Sequence, residues 1–188
     1  VRPVFKSGDA TDWANYRPIS PTSVVGKVFE PVLANRLELE LSKNSLLSEH
    51  QYGFRGGRSC AHAQFVLCET IKARAAQNKE THVALHDVRK AYPTNIRAAI
   101  MSKLGAMLAK LPGADRDRQP KIWRVIKTMY DNITSTIKVA TKEEEAYSDE
   151  YEVPLGLREG SSLSPLLYTV FVNAVVAKLE AAEVPEVL

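Results

Sequence analysis

The sequence predicts an α+β domain. Apolar residues recur at three- and four-residue spacings over several long stretches, and separate short runs alternate β-branched and polar residues. The two kinds of segment do not alternate regularly, which argues against a doubly wound parallel sheet. The chain has 188 residues, of which 45% are hydrophobic and 25% charged. That suits one domain, or most of one, with a real core. No apolar run approaches the roughly 20 residues of a membrane span, and the composition excludes a disordered chain.

Residues 6–23 are rich in Ser, Asp, Thr, Asn and Pro and read as an extended, turn-rich entry. A helix follows, with Val25, Phe29, Val32, Leu33, Leu37 and Leu41 as its apolar stripe, and Pro31 is expected to kink it or delay its start. Residues 44–58 form a loop containing Gly53, Gly56 and Gly57. Ser59 reads as the N-cap of a second helix that buries Phe65, Cys68, Ile71 and Ala75. Residues 81–88 read as a short strand. A helix over about 94–110 is ended by Pro112-Gly113, and another over about 119–131 turns Ile122, Val125, Ile126 and Met129 inward. Residues 134–140 and 148–154 read as a hairpin around the turn Glu143-Glu144-Glu145. A long apolar helix closes the pattern over 162–182.

Lys and Arg number 25 against 22 Asp and Glu, a net charge of +3. This permits a polyanionic partner without demanding one. Two cysteines, Cys60 and Cys68, exclude a disulfide framework and an all-cysteine zinc site, and read as reduced core thiols of an intracellular protein. The start shows no signal peptide and no initiator Met, so the chain is expected to be a fragment or a processed protein. The four histidines lack metal-ligand spacing, and no serine sits in a nucleophile elbow.

Four features can carry chemistry. Asp87 ends the predicted strand, where a carboxylate serves either as a Mg²⁺ ligand or as a helix N-cap. Arg55 and Arg58 lie on a glycine-bearing loop before a helix start, either solvated or placed for phosphate oxygens. Arg118, Lys121, Arg124 and Lys127 are spaced three apart and make a basic helical stripe, either a solvated face or a nucleic-acid contact. Gly156-Leu157-Arg158-Glu159-Gly160-Ser161-Ser162-Leu163-Ser164-Pro165 is a polar turn entering a helix, with Pro at a tolerated position.

The order of these features resembles the reverse transcriptase domain of non-LTR (LINE-type) retrotransposons, and more distantly that of group II intron proteins. The likeness runs from Val4-Phe5-Lys6-Ser7-Gly8-Asp9 and Asn15-Tyr16-Arg17-Pro18-Ile19-Ser20 to Gly26-Lys27-Val28-Phe29-Glu30 and Asn35-Arg36-Leu37. It continues through Gln51-Tyr52-Gly53-Phe54-Arg55, Gly57-Arg58-Ser59 and Asp87-Val88-Arg89-Lys90-Ala91-Tyr92, and ends with Gly156 to Leu167 and Asn173. The resemblance implies the fingers (about 1–80) and part of the palm (about 81–188) of a right-hand polymerase. It implies that Asp87 is the first catalytic carboxylate and that the Val88 carbonyl joins the metal shell. Tyr92 takes the gate against a ribose 2′-OH, and Arg55 and Arg58 lie near the triphosphate. Arg17, Gly156, Arg158, Glu159, Gly160, Ser164, Pro165 and the stripe Lys121, Arg124, Lys127 then face template and primer. The implied cofactor is Mg²⁺ or Mn²⁺, the substrate a dNTP, and the partners an RNA template and a DNA primer, with no membrane. The implied place is the nucleus or cytoplasm.

The sequence departs from the family pattern in three places. The usual paired Asp-Asp does not occur in these 188 residues, which are expected not to polymerise by themselves. Pro93 stands where the family usually has Asp, and Glu159 where it usually has Gln, so a possible donor becomes an acceptor. A fragment of an active RNA-directed DNA polymerase and a catalytically dead, degenerate or domesticated module that binds nucleic acid or acts as a scaffold both fit this pattern.

Overall fold

The computed structural model describes residues 1–113, 120–140 and 144–181. Its core lies where three helices meet: α3 (Arg97–Leu108), α4 (Lys121–Tyr130) and α5 (Ser164–Ala181). Ile100, Leu104 and Leu108 recur every four residues along α3 and are fully buried. They pack with Ile126 and Tyr130 of α4 and with Leu167 and Val170 of α5. The Trp123 indole N–H donates to the Met101 carbonyl at 2.8 Å, fixing α4 against α3.

Helix α1 (Val24–Lys43) is capped by the Ser23 hydroxyl, which accepts from the Gly26 N–H at 3.1 Å. It begins well before Pro31, so the proline does not delay its start. Its buried face is Glu30, Leu33, Leu37 and Leu41. Val25, Phe29 and Val32, expected to be buried, are exposed. The stripe read from the sequence contains two overlapping helical faces, and the core takes only the one continuous with Leu47.

Helix α2 (Cys60–Ala76) has the predicted Ser59 cap but no buried residue. Phe65 is 66% exposed, Ile71, Ala75 and both cysteines are also exposed, and the expected core thiols are surface thiols. No described element packs closely enough on α2 to cover its stripe.

Residues 81–88 do not form a strand. Val83 and Val88 are about half exposed and Leu85 is 88% exposed. Apolar alternation becomes a strand only beside another backbone, and no described strand pairs with this one. Val125 of α4 is likewise exposed, while Ile126 and Tyr130 are that helix's buried residues.

Among the described residues, three two-stranded antiparallel sheets complete the α+β pattern. β1 (Arg2–Phe5) pairs with β2 (Tyr16–Ile19), the second strand lying within the 6–23 segment that the sequence marks as an extended, turn-rich entry. Its prolines face each other, Pro3 against Pro18. The Lys6 N–H bonds the Asn15 carbonyl at 2.9 Å. By antiparallel alternation the proline pair therefore falls at a site without ladder bonds and forfeits none. β3 (Thr134–Ser135) pairs with β6 (Tyr151–Glu152), and β4 (Lys138–Ala140) with β5 (Glu145–Tyr147). This is the expected hairpin, broken at its middle. Glu145 lies in β5, while Glu143 and Arg118 lie outside the described residues. α3 and α4 start later than the sequence suggested, at Arg97 and Lys121.

Leu104→Ala is expected to destabilise the fold by about 2–5 kcal/mol, because the fully buried site leaves a cavity; urea denaturation measures it.

Candidate functional site

Two turns dock backbone to backbone. The Gly156 N–H donates to the Asn95 carbonyl at 2.8 Å, and the Leu157 N–H to the Tyr92 carbonyl at 2.8 Å. Gly156 has φ +87°, and a Cβ there would stand 2.6 Å from the Pro93 carbonyl oxygen. Only glycine lets the turns close to this distance. On its other side, the Glu159 carbonyl accepts from the Ser20 N–H at 2.7 Å, next to the parallel bridge between Ile19 and Glu159. Gly160, at φ +107°, passes beside the Ser20 carbonyl. The turn after Lys90 is closed by the Thr94 N–H and hydroxyl on the Lys90 carbonyl, at 3.2 and 2.9 Å, with the Asn95 amide on the Ala91 carbonyl.

This docking brings Glu159 and Tyr168 to Tyr92. The Tyr92 ring lies 5.6 Å from the Tyr168 ring of α5, tilted by 37°. Burial holds the Tyr92 phenol above its ordinary pKa, and the neighbouring Tyr168 and Glu159 push it the same way. Burial also raises the Tyr168 phenol, and the charge of Asp87 adds to it. Tyr168 thus links the two ends of this region: its ring packs on Tyr92, and it feels the charge of Asp87. Asp87 is exposed, as is Val88. Its carboxylate is one hard-oxygen ligand of the kind Mg²⁺ takes. Among the described residues no three His, Cys, Asp or Glu come together to hold a metal. A two-metal centre needs more ligands than this region supplies.

Behind the turn lies a polar cluster. Glu30 is 2% exposed. Its Oε2 accepts from the Ser162 N–H at 3.1 Å, and its Oε1 is 4.0 Å from the Arg158 guanidinium. Arg158 also donates to the Met129 carbonyl at 3.2 Å and lies over the Tyr130 ring. Burial raises the Tyr130 phenol, which sits 3.2 Å from the Ser164 hydroxyl. Ser164 is buried and Pro165 half-buried at the start of α5. A cleft of about 440 Å³ opens beside the cluster, lined among others by Ser20, Ser23, Pro93, Tyr151, Arg158 and Glu159.

The loop arginines are held elsewhere. Arg55 donates to the Ser48 carbonyl at 2.6 Å and lies 3.8 Å from Glu49. Arg58 binds the Glu49 carboxylate and carbonyl and stacks over Tyr52. Asn173 of α5 clamps this loop, accepting from the Ser48 N–H at 2.6 Å and donating to the Leu46 carbonyl at 3.2 Å. Arg17 is exposed on β2. Lys121 and Arg124 are exposed on α4, whereas Lys127 pairs with Asp131 at 2.7 Å. Sequence reasoning missed Glu30, Tyr130 and Tyr168 as site residues. Glu30 left one trace: a carboxylate in register with Leu33, Leu37 and Leu41 on a buried face.

Residues 6–186 match the family described as Reverse transcriptase (RNA-dependent DNA polymerase). The chain is 26% identical over 157 residues to a probable RNA-directed DNA polymerase from transposon BS of Drosophila melanogaster, covering 84% of the chain and 16% of that protein. It is 26% identical over 186 residues to the RNA-directed DNA polymerase from mobile element jockey of the same species, covering 97% and 19%. It is 27% identical over 174 residues to a Pol polyprotein from type-1 retrotransposable element R2 of Nasonia vitripennis, covering 93% and 15%. The chain thus spans less than a fifth of each of these proteins.

Gly156→Ala is expected to lower stability by about 2 kcal/mol or more, combining positive-φ strain with the clash on Pro93. Thermal unfolding of the variant beside Gly57→Ala, where φ is +73° but the Cβ meets nothing within 4 Å, separates the two effects.

Proposed function

Since the chain belongs to the reverse transcriptase family, we propose that it is part of the polymerase region of a non-LTR retrotransposon protein that extends a DNA primer on an RNA template. The observation that carries this is the docking of the 156–160 turn on the 92–95 turn, which brings Glu159 and Tyr168 to Tyr92, with the Asp87 charge acting on Tyr168. Residues up to about 80 then serve as fingers and the rest as palm.

Asp87 and the Val88 carbonyl supply metal ligands, with further ligands coming from beyond this set. Mg²⁺ or Mn²⁺, when bound, neutralises charge on the reacting phosphate. The chain's own work is positioning. Tyr92, braced by Tyr168 and by its carbonyl on Leu157, stands where a ribose 2′-OH would have to fit. Arg55 and Arg58 reach triphosphate oxygens by exchanging Glu49 for phosphate, which suits their forks. Gly156, Arg158, Glu159 and Gly160 face the template and the dNTP, and Ser164 and Pro165 set the start of α5 beneath them. Arg17, Lys121 and Arg124 are open to backbone phosphates, and Lys127 joins them on leaving Asp131. Glu159 favours a second reading, a catalytically inactive module that keeps a nucleic-acid surface. A carboxylate there repels phosphate and cannot donate.

Primer extension by the polymerase carrying this chain, on a primed RNA template with Mg²⁺, separates the two. Asp87→Asn is expected to lower kcat by about 10²–10³-fold with no change in melting temperature; full activity contradicts the assignment. Tyr92→Ala is expected to raise ribonucleotide incorporation about tenfold or more; unchanged sugar discrimination removes the gate. A wild-type protein that binds primer–template yet never extends it establishes the inactive reading.

A further inference from the structure

We infer that Glu30 is a positioning residue for the nucleotide pocket: from α1 it holds the 158–162 turn, and through that turn the backbone of Tyr92. This rests on the function proposed above. Three observations place it there. Its carboxylate is 2% exposed on an otherwise apolar helix face, a costly place for a charge without partners. Its two oxygens are directed at one turn, Oε2 to the Ser162 N–H at 3.1 Å and Oε1 toward Arg158 at 4.0 Å. The turn leads on to the Leu157 N–H, which bonds the Tyr92 carbonyl at 2.8 Å, and to α5, whose Tyr168 packs on the Tyr92 ring.

Hydrophobic residues alone would bury α1 but would not fix the turn along the helix. A carboxylate does so because its acceptors are directional. Removing it leaves no stranded partner. Ser162 is an exposed residue, and the Arg158 side chain, 31% exposed, keeps the Met129 carbonyl as a partner. Glu30→Met, of similar bulk and without an acceptor, is therefore expected to fold. Its effect is on position.

The test uses the full polymerase with oligo(dT) on poly(rA). Glu30→Met is expected to raise KM for dTTP about tenfold and leave kcat within about twofold. It also lowers discrimination against UTP, and amide exchange at Ser162 quickens. Glu30→Gln, which keeps an acceptor oxygen, falls between wild type and Glu30→Met in both readouts. A folded Glu30→Met protein with wild-type KM and wild-type exchange at Ser162 overturns the inference. If the wild type does not extend the primer at all, the proposed function falls instead. Exchange at Ser162 then decides alone: faster exchange in Glu30→Met supports the hold by Glu30, and unchanged exchange overturns it.

Discussion

The close backbone approach of Gly156 to Pro93 is the constraint on which the other site contacts depend. It lets the 156–160 turn bond the Tyr92 and Asn95 carbonyls on one side and the Ser20 N–H on the other. Each bond alone is worth about 1 kcal/mol net. Their persistence comes from what flanks them. Leu157, at the start of the turn, and Leu163, just past its end, are buried in the core, and burying a leucine contributes about 1.5–3 kcal/mol. The turn is thus anchored at both ends while its polar middle stays at the surface. The N-terminal hairpin, α1, the approach to α3 and the start of α5 all meet it.

Two buried charges on either side of this turn are stabilised differently. Glu30 has a cation and a backbone N–H. Arg97 has carbonyls: Tyr130 at 2.8 Å, Leu155 at 3.1 Å and Val153. Tyr130 ends α4, where the helix dipole is negative, so this carbonyl is a favourable partner for a guanidinium. The Arg97 Nε has no hydrogen-bond partner. The cost of that orphan, about 1–3 kcal/mol, is offset by a clamp that ties α3, α4 and the strand leading into the turn to one side chain.

Much of the framework was legible in the sequence, for reasons that differ between elements. α3, α4 and α5 bury repeating apolar faces, and periodicity reports such faces directly. The Ser23 and Ser59 hydroxyls cap their helices, and the sequence marks Ser59 as a cap. The face of α1 was misread because Val25, Phe29 and Val32 continue the same spacing as Leu33, Leu37 and Leu41, and spacing does not say where the neighbour stands. Residues 81–88 carry a strand's composition without a strand's partner. The hairpin of β1 and β2 was hidden by Pro3 and Pro18, which count against strands until their register is known. The family was legible from motif order. Within the candidate site, the docking of the 92–95 and 156–160 turns joins two motifs that the sequence shows far apart. Tyr168 and Glu30 were not legible, because their roles arise from contacts across long sequence separations.

Metal-directed cleavage most directly tests the proposal that the metals act at Asp87, near Tyr92 and the 156–160 turn. Fe²⁺ substituted for Mg²⁺ in the full polymerase with primer–template bound, then treated with ascorbate and peroxide, cuts the polypeptide near the metal. Cuts that include residues 85–92 and 156–160, and are suppressed by excess Mg²⁺, are the predicted result. Mg²⁺-sensitive cuts elsewhere in the protein, with these two stretches intact, would contradict it.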